Sequence, residues 1–271
     1  MKTRVISAAV LVPILFLIVL VAPVSAAAAI LGMLLAIAAY ELLYRTGLVK
    51  QPRLAIYSSV MAFAISMWSY FEAARAYFVL LLMAFFMLML AEMMRDHIKV
   101  RFETVSMCFV GGVMIPYFLT ALIRILTMNV GRYVILIPFI VAFMNDAGAY
   151  FIGLRFGKHK LAPVVSPNKT IEGVFGGLGG AMLGMLIYAL ILDFFLKFEV
   201  NYLIALLYGL LGSAVGTFGD LCFSIIKRQT GIKDYGNLIP GHGGVLDRFD
   251  SLSMVAPLME ALLLLLPLVK M

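Results

Sequence analysis

The chain has 271 residues, 64% of them hydrophobic and 13% charged, with a formal net charge of +7. Its apolar runs are long enough to cross ~30 Å of hydrocarbon at 1.5 Å per residue, which excludes an ordinary water-soluble globule. Two cysteines, Cys108 and Cys222, lie in or beside apolar runs, where they read as packing residues and not as a disulfide framework or a zinc site. The positive charge does not require a nucleic acid, because a membrane protein collects Lys and Arg on its cytoplasmic loops.

Nine apolar segments are predicted in chain order: about 5–22, 25–44, 54–72, 76–94, 104–126, 133–153, 173–196, 202–223 and 251–269. The opening MKTR, an apolar run and VSAAAA have the outline of a secretory signal, but the run is long for one and a second spanning segment follows at once. Little more than Pro23 separates the first two segments, which predicts a tight helical hairpin. With nine spans, one side holds Lys2, Arg4, Arg45, Lys50, Arg53, Arg95, Lys99, Arg101, Arg155, Lys158, Lys160, Lys169, Lys227, Arg228, Lys233 and Arg248. The other side holds Arg75, Arg124, Arg132, Lys197 and Lys270. That asymmetry assigns the first side, with the N-terminus, to the cytoplasm. The expected fold is all-α and polytopic, with residues 1–130 as about five N-terminal helices and 131–271 as C-terminal helices carrying a cytoplasm-facing site.

Two polar stretches interrupt this pattern. The first, from Asn145 to Gly177, puts Asn145 and Asp146 inside the sixth segment, where an unpaired acid costs ~2.5–3.5 kcal/mol or more and therefore calls for a partner. It continues through Arg155, Lys158 and Lys160 to Ser166-Pro167-Asn168-Lys169-Thr170, just before a helix start. Free N–H groups at a helix N-terminus suit an anion, so this is a candidate phosphate seat. The glycines that follow, in GVFGGLGGAMLG, suit close approach of a neighbouring helix.

The second stretch, Ser224 to Asp250, holds Lys227, Arg228, Lys233 and Arg248, the acids Asp234, Asp247 and Asp250, and His242 among glycines, just after Asp220. Carboxylates bind a hard divalent cation, cations bind phosphate oxygens, and glycines let the backbone come close: together these suggest metal ions holding a polyphosphate. For Asp250, capping of the last helix is an equal alternative. His242 fits phosphate contact or loop geometry better than metal ligation. Glu92 and Glu260 also fall in apolar segments.

The run Ser224-x-x-Lys227-Arg228, then Lys233-Asp234, Gly236, Ile239-Pro240-x-His242-Gly243-Gly244-x-x-Asp247-Arg248-x-Asp250 resembles the signature of the phosphatidate cytidylyltransferases, or CDP-diacylglycerol synthases. Asp146, Ala149-Tyr150-Phe151, Gly153, Phe156-Gly157-Lys158 and Ser166 to Gly173 resemble the same family, and the likeness covers roughly the C-terminal half. Phe223 stands where many relatives carry an acid.

The resemblance implies transfer of CMP from CTP to phosphatidate, giving CDP-diacylglycerol and pyrophosphate in phospholipid biosynthesis. It implies Mg²⁺, with a second cation left open, and an integral protein of the cell inner membrane. Catalytic roles would fall to Asp220, Asp247, Lys227, Arg228 and His242, and metal ligation to Asp220, Asp247, Asp250 and Asp146. Substrate contacts would come from Ser166, Asn168, Lys169, Thr170, Ser224, Lys233, Asp234, Gly243, Gly244 and Arg248. The expected partners are the two substrates and the lipid bilayer, without nucleic acid; a homodimer is left open. Two alternatives remain at this stage: a CTP-dependent lipid-alcohol kinase, and a non-enzymatic ion-coupled transporter using Asp146, Glu92 and Glu260.

Overall fold

A computed structural model describes residues 9, 13–241 and 243–270, with the backbone alone at 72, 74, 75 and 270. His242, Lys2 and Arg4, and residues 5–8 and 10–12 of the first predicted segment, lie outside the described residues. The protein is mostly helical, and its contacts divide it into two units. One comprises residues 1–128 and 229–249; the other comprises 129–228 and 250–271.

In the first unit, α1 covers 13–20. After Pro23, α2 runs over Val24–Tyr40 and continues as a wide π turn, Glu41–Arg45. α3 (Pro52–Tyr70) opens on proline, whose fixed φ suits a first helical turn. α4 (Phe78–Arg95) and α5 (Phe102–Phe109) follow; α5 continues through a second π turn, Val110–Met114, into α6 (Ile115–Leu119) and α7 (Ala121–Leu126). Leu43, Leu54, Met61, Ile65, Met89, Val105 and Cys108 form a contiguous buried core across these helices. Gly112 is required there: a Cβ would stand 2.9 Å from the Cα of Ser58 on α3.

In the second unit, α8 (Gly131–Val134) leads into α9 (Leu136–Phe156), and a short antiparallel pair, β1 (Lys160–Ala162) and β2 (Ser166–Thr170), delivers the chain to α10 (Ile171–Phe194). β3 (Glu199–Val200) precedes α11 (Tyr202–Gln229). α13 (Leu252–Leu265) closes the unit, and β4 (Val269–Lys270) pairs with β3. α12 (Leu246–Phe249) belongs to the first unit. The expected glycine packing is present: a Cβ at Gly176 would lie 2.6 Å from the carbonyl of Gly148 on α9, and one at Gly180 would lie 2.5 Å from that of Met144.

Among the described residues, six helical stretches are long and apolar enough to cross a membrane: Val24–Arg45, Phe78–Arg95, Phe102–Leu126, Gly131–Phe156, Ile171–Phe194 and Tyr202–Gln229. Two predicted spans do not join them. α3 has the length but includes Ser58, Ser59, Ser66 and Ser69, and α13 has 14 residues where the expected segment had 19. The strands are a second departure: Ser166 to Thr170 pairs with β1 as extended chain, which the two prolines Pro163 and Pro167 near the turn favour over helix.

Candidate active site

In the second unit the polar groups gather on α9, β2, α10 and α11. Asn145 is buried on α9, and its Oδ1 accepts hydrogen bonds from Ser213 Oγ (2.5 Å) and Thr217 Oγ1 (3.5 Å), both on α11. Its amide donates to Asp146 Oδ1 at 3.4 Å. The hydroxyl-lined face of α11 thus holds Asn145, while Asp146, for which a partner was expected, is exposed and receives the Asn145 amide. One turn beyond Thr217 on that helix, Asp220 pairs with Lys169 of β2 and accepts a hydrogen bond from Ser224 Oγ at 3.3 Å. Both members of the ion pair keep about a quarter of their side-chain surface exposed, at 24% and 28%.

α11 extends six residues past its predicted end, so Lys227 and Arg228 stand on its last turn and not in a loop. Cations there complement the negative end of the helix dipole. Lys227 Nζ lies 3.9 Å from Asp250 Oδ2, and Arg228 Nε donates to the carbonyl of Val165 at 3.2 Å. Asp250 stands in the turn before α13, where its Oδ1 accepts the N–H of Ser251 at 2.8 Å. It thus makes a local backbone contact and an ion-pair contact together, and the helix that follows has Ser251 at its N-cap without a side-chain cap bond.

The expected phosphate seat at the start of α10 is occupied in part by the protein itself. Thr170 Oγ1 accepts the N–H of Gly173 at 3.1 Å, an ordinary N-cap. Glu172 accepts the backbone N–H groups of Lys158 and His159 and contacts His159 Nδ1 at 2.6 Å, tying the end of α9 to the start of α10. Ser166 is half-buried and Asn168 exposed on β2.

The signature loop, by contrast, folds in the first unit around two buried carboxylates. Asp247 Oδ2 accepts N–H bonds from Tyr235 (2.8 Å) and Gly244 (2.9 Å), while Asp247 itself is 5% exposed. Glu41, at the π turn after α2, is 2% exposed and accepts the N–H of Leu246 at 3.0 Å. A Cβ at Gly244 would sit 2.6 Å from Glu41 Oε1, so glycine is needed for the backbone to reach that carboxylate. Gly243 is needed for another reason, a φ of +86°. Arg45, one turn past Glu41, donates to Asn237 Oδ1 at 3.1 Å. Around this framework Lys233, Asp234 and Arg248 are exposed and line an open cavity of about 530 Å³.

Glu41 is the residue that sequence reasoning missed. The available signal was an acid at the end of an apolar helix, in the sequence ELLYR, which is a functional candidate by default in a membrane segment. Phe223 is a buried apolar residue, 3% exposed, at the position where an acid was a family expectation. Among the described residues, no three carboxylates, imidazoles or thiols gather as a ready-made metal cage. Mg²⁺ does not need one: it is commonly held by one or two carboxylates together with waters and substrate phosphates, and the carboxylate and hydroxyl oxygens at Asp220 and Ser224 are of the right hardness.

A helical membrane protein with acid–base pairs on one unit and a glycine-rich polar loop on the other is the class that these features define. The chain belongs to the Cytidylyltransferase family, whose sequence profile matches residues 2–266. A phosphatidate cytidylyltransferase of Staphylococcus haemolyticus is 43% identical over 138 residues, which cover 51% of this chain and 52% of that protein. Phosphatidate cytidylyltransferases of Staphylococcus epidermidis and Staphylococcus aureus are 42% and 41% identical over the same shares. The chain spans about half the length of the curated relatives it matches.

Proposed function

We propose that this protein transfers the cytidylyl group of CTP to phosphatidate, producing CDP-diacylglycerol and pyrophosphate. Family membership narrows the class, and the names of the relatives point to this lipid acceptor. The observation that carries the reading is the Asp220–Lys169 pair, with Ser224 on the same acid. It offers an exchangeable carboxylate and a cation to a phosphorylated substrate, not a sealed structural ion pair. A cavity of about 530 Å³ beside Lys233 and Arg248 is in the size range of small-ligand sites and supports nucleotide binding by the signature loop.

In this reaction a phosphate oxygen of phosphatidate attacks the α-phosphorus of CTP, the α–β bridging bond breaks, and its electron pair leaves with pyrophosphate. The attacking phosphomonoester is already largely dianionic near neutral pH, its second pKa being ~6, so no protein base is required. Lys169, Lys227 and Arg228 in one unit, and Lys233 and Arg248 in the other, are proposed to bind phosphate oxygens of the substrates and to neutralise charge on the departing pyrophosphate. Ser166, Asn168, Thr170, Asp234, Gly243 and Gly244 are proposed to shape the substrate contacts, and His242 to contact phosphate. When bound, Mg²⁺ would supply charge neutralisation at the phosphate oxygens; Asp220 is its proposed first carboxylate, and one of Asp146, Asp247 and Asp250 the proposed second.

We further propose nine spans with a cytoplasmic N-terminus and a cytoplasm-facing site, a reading supported by the distribution of Lys and Arg. Sealed inside-out vesicles test both proposals, because added CTP reaches only the cytoplasmic face. Turnover should need CTP, phosphatidate and Mg²⁺ together. Labelled pyrophosphate should not enter CTP when phosphatidate and CDP-diacylglycerol are absent. Exchange without lipid would establish a covalent cytidylyl-enzyme and replace direct displacement, and activity only after permeabilisation would overturn the orientation.

A further inference from the structure

A second basic site lies away from the signature, within the first unit. Its walls are the α2–α3 connection (Leu48, Lys50, Gln51), the first residues of α3, the α4–α5 connection and the start of α5. They enclose an open cavity of about 770 Å³. Four cations line it, Lys50, Arg53, Lys99 and Arg101, against one acid, Asp96. Gln51 Nε2 donates to the carbonyl of Lys99 at 2.5 Å and so ties the two connections together.

The site is built and not merely decorated. Arg53 is half-buried, and its Nη2 lies 2.9 Å from Oε2 of the buried Glu92, an ion pair without hydrogen-bond geometry. Its Nε is buried with no hydrogen-bond partner. A buried N–H left unsatisfied costs ~1–3 kcal/mol, a cost carried by a residue that stands in the cavity wall. Lys99 pairs with Asp96 at 3.4 Å. Desolvation raises the Asp96 carboxyl, but its hydrogen bonds to Lys99 and the nearby Lys99 and Arg53 charges outweigh this and hold it below the usual range. Asp96 therefore stays anionic at neutral pH, and the four cations still leave the lining net positive.

Position selects the source of the oxyanion. The two connections adjoin the ends of three membrane-length stretches, at Arg45, Arg95 and Phe102, so the cavity lies at headgroup depth. Ile98 in its lining is 79% exposed, and Met94 and Phe102, which line a neighbouring cavity that shares Arg101, are 82% and 63% exposed. Such side chains suit the interfacial part of an acyl glycerol better than water. Basic pockets between spanning helices at a membrane surface commonly hold anionic headgroups.

We propose that this cavity binds the phosphate of an anionic phospholipid headgroup, with Arg53 and Lys50 on the phosphate and Met94, Ile98 and Phe102 against the glycerol and upper acyl chains. The site is distinct from the signature loop and does not depend on the proposed reaction. It is tested with the full-length chain, purified and delipidated in detergent, by native mass spectrometry and by the thermal midpoint. The probes are phosphatidylglycerol, phosphatidylcholine and inorganic phosphate. Phosphatidylglycerol should bind and raise the midpoint of the parent, phosphatidylcholine should do neither at equal concentration, and 10-fold excess inorganic phosphate should not substitute. Lys50→Gln combined with Arg101→Gln, both at exposed positions, should weaken phosphatidylglycerol binding about tenfold, the effect of ~1.4 kcal/mol. Lys50→Gln alone should give a smaller loss in the same direction and keeps the test open should the double variant fold poorly. Equal binding of phosphatidylglycerol to the parent and to Lys50→Gln would overturn the proposal. So would equal binding of phosphatidylcholine, or protection by inorganic phosphate alone, which would make the ligand a soluble anion.

Discussion

The two polar regions use the same residue types under different degrees of burial, and the difference separates shape from chemistry. Around the signature loop, Glu41 and Asp247 are almost wholly buried, and the contacts described for them are to backbone N–H groups at 2.8–3.0 Å. A buried carboxylate that loses such partners keeps its desolvation cost, so these acids hold the loop in one conformation. On α11 and β2, Asp220 and Lys169 meet at a surface where each stays about a quarter exposed. An ion pair of that kind contributes little stability and can exchange one partner for a ligand. The buried acids shape the loop, Asp247 in addition to its proposed place at Mg²⁺, and the accessible pairs are the groups most open to phosphate and metal.

Asp220→Asn breaks this comparison hardest. It should leave a folded membrane protein and lower kcat by about 10²–10³-fold, the scale of one lost electrostatic contact to a transition state. Near-normal turnover of the variant at limiting Mg²⁺ would remove Asp220 from the ligand set. Glu41→Ala should act in the opposite way, chiefly on stability, by orphaning the N–H of Leu246. A loss of about 1–3 kcal/mol in denaturant unfolding is expected, and Gly244→Ala should match it by forcing a Cβ against the Glu41 carboxylate. Either variant unfolding like the parent would show that the loop does not lean on α2. Arg228→Lys sharpens the smaller end of the scale. It keeps the charge but loses the Nε donor to Val165 and the guanidinium fork, and KM should rise roughly tenfold, the size of a hydrogen bond to a charged group. An unchanged KM would make Arg228 a surface charge that only complements the end of α11.

The comparison also explains what was legible in the sequence. Apolar runs announced the helices, because crossing or packing in lipid demands long uninterrupted stretches, and the glycines after Thr170 announced a close helix contact whose partner, α9, came from the structure. The end of α11 was not legible: Lys227 and Arg228 look like loop residues in sequence, yet a helix can carry cations on its final turn, where its dipole favours them. The short β1–β2 pair was hidden in the same way, since Ser166 to Thr170 reads as a linker until β1 supplies its hydrogen bonds. Glu41 was the largest omission. It lies 205 residues from Leu246, and no local pattern ties an acid at the end of α2 to a glycine-rich loop so far along the chain. The identity of the candidate residues in the signature came from residue types and spacing; the division between buried and accessible acids came only from the folded chain.

The central claim is that the cytidylyl group moves to a lipid phosphate. CTP carrying separate labels on its α- and γ-phosphorus, supplied with phosphatidate and Mg²⁺ to the purified protein, tests it most directly. The account predicts that the α label appears in CDP-diacylglycerol while the γ label is released as pyrophosphate, in equal amounts. Recovery of the γ label on lipid, with CDP as the other product, would contradict the account and establish a phosphoryl transfer instead.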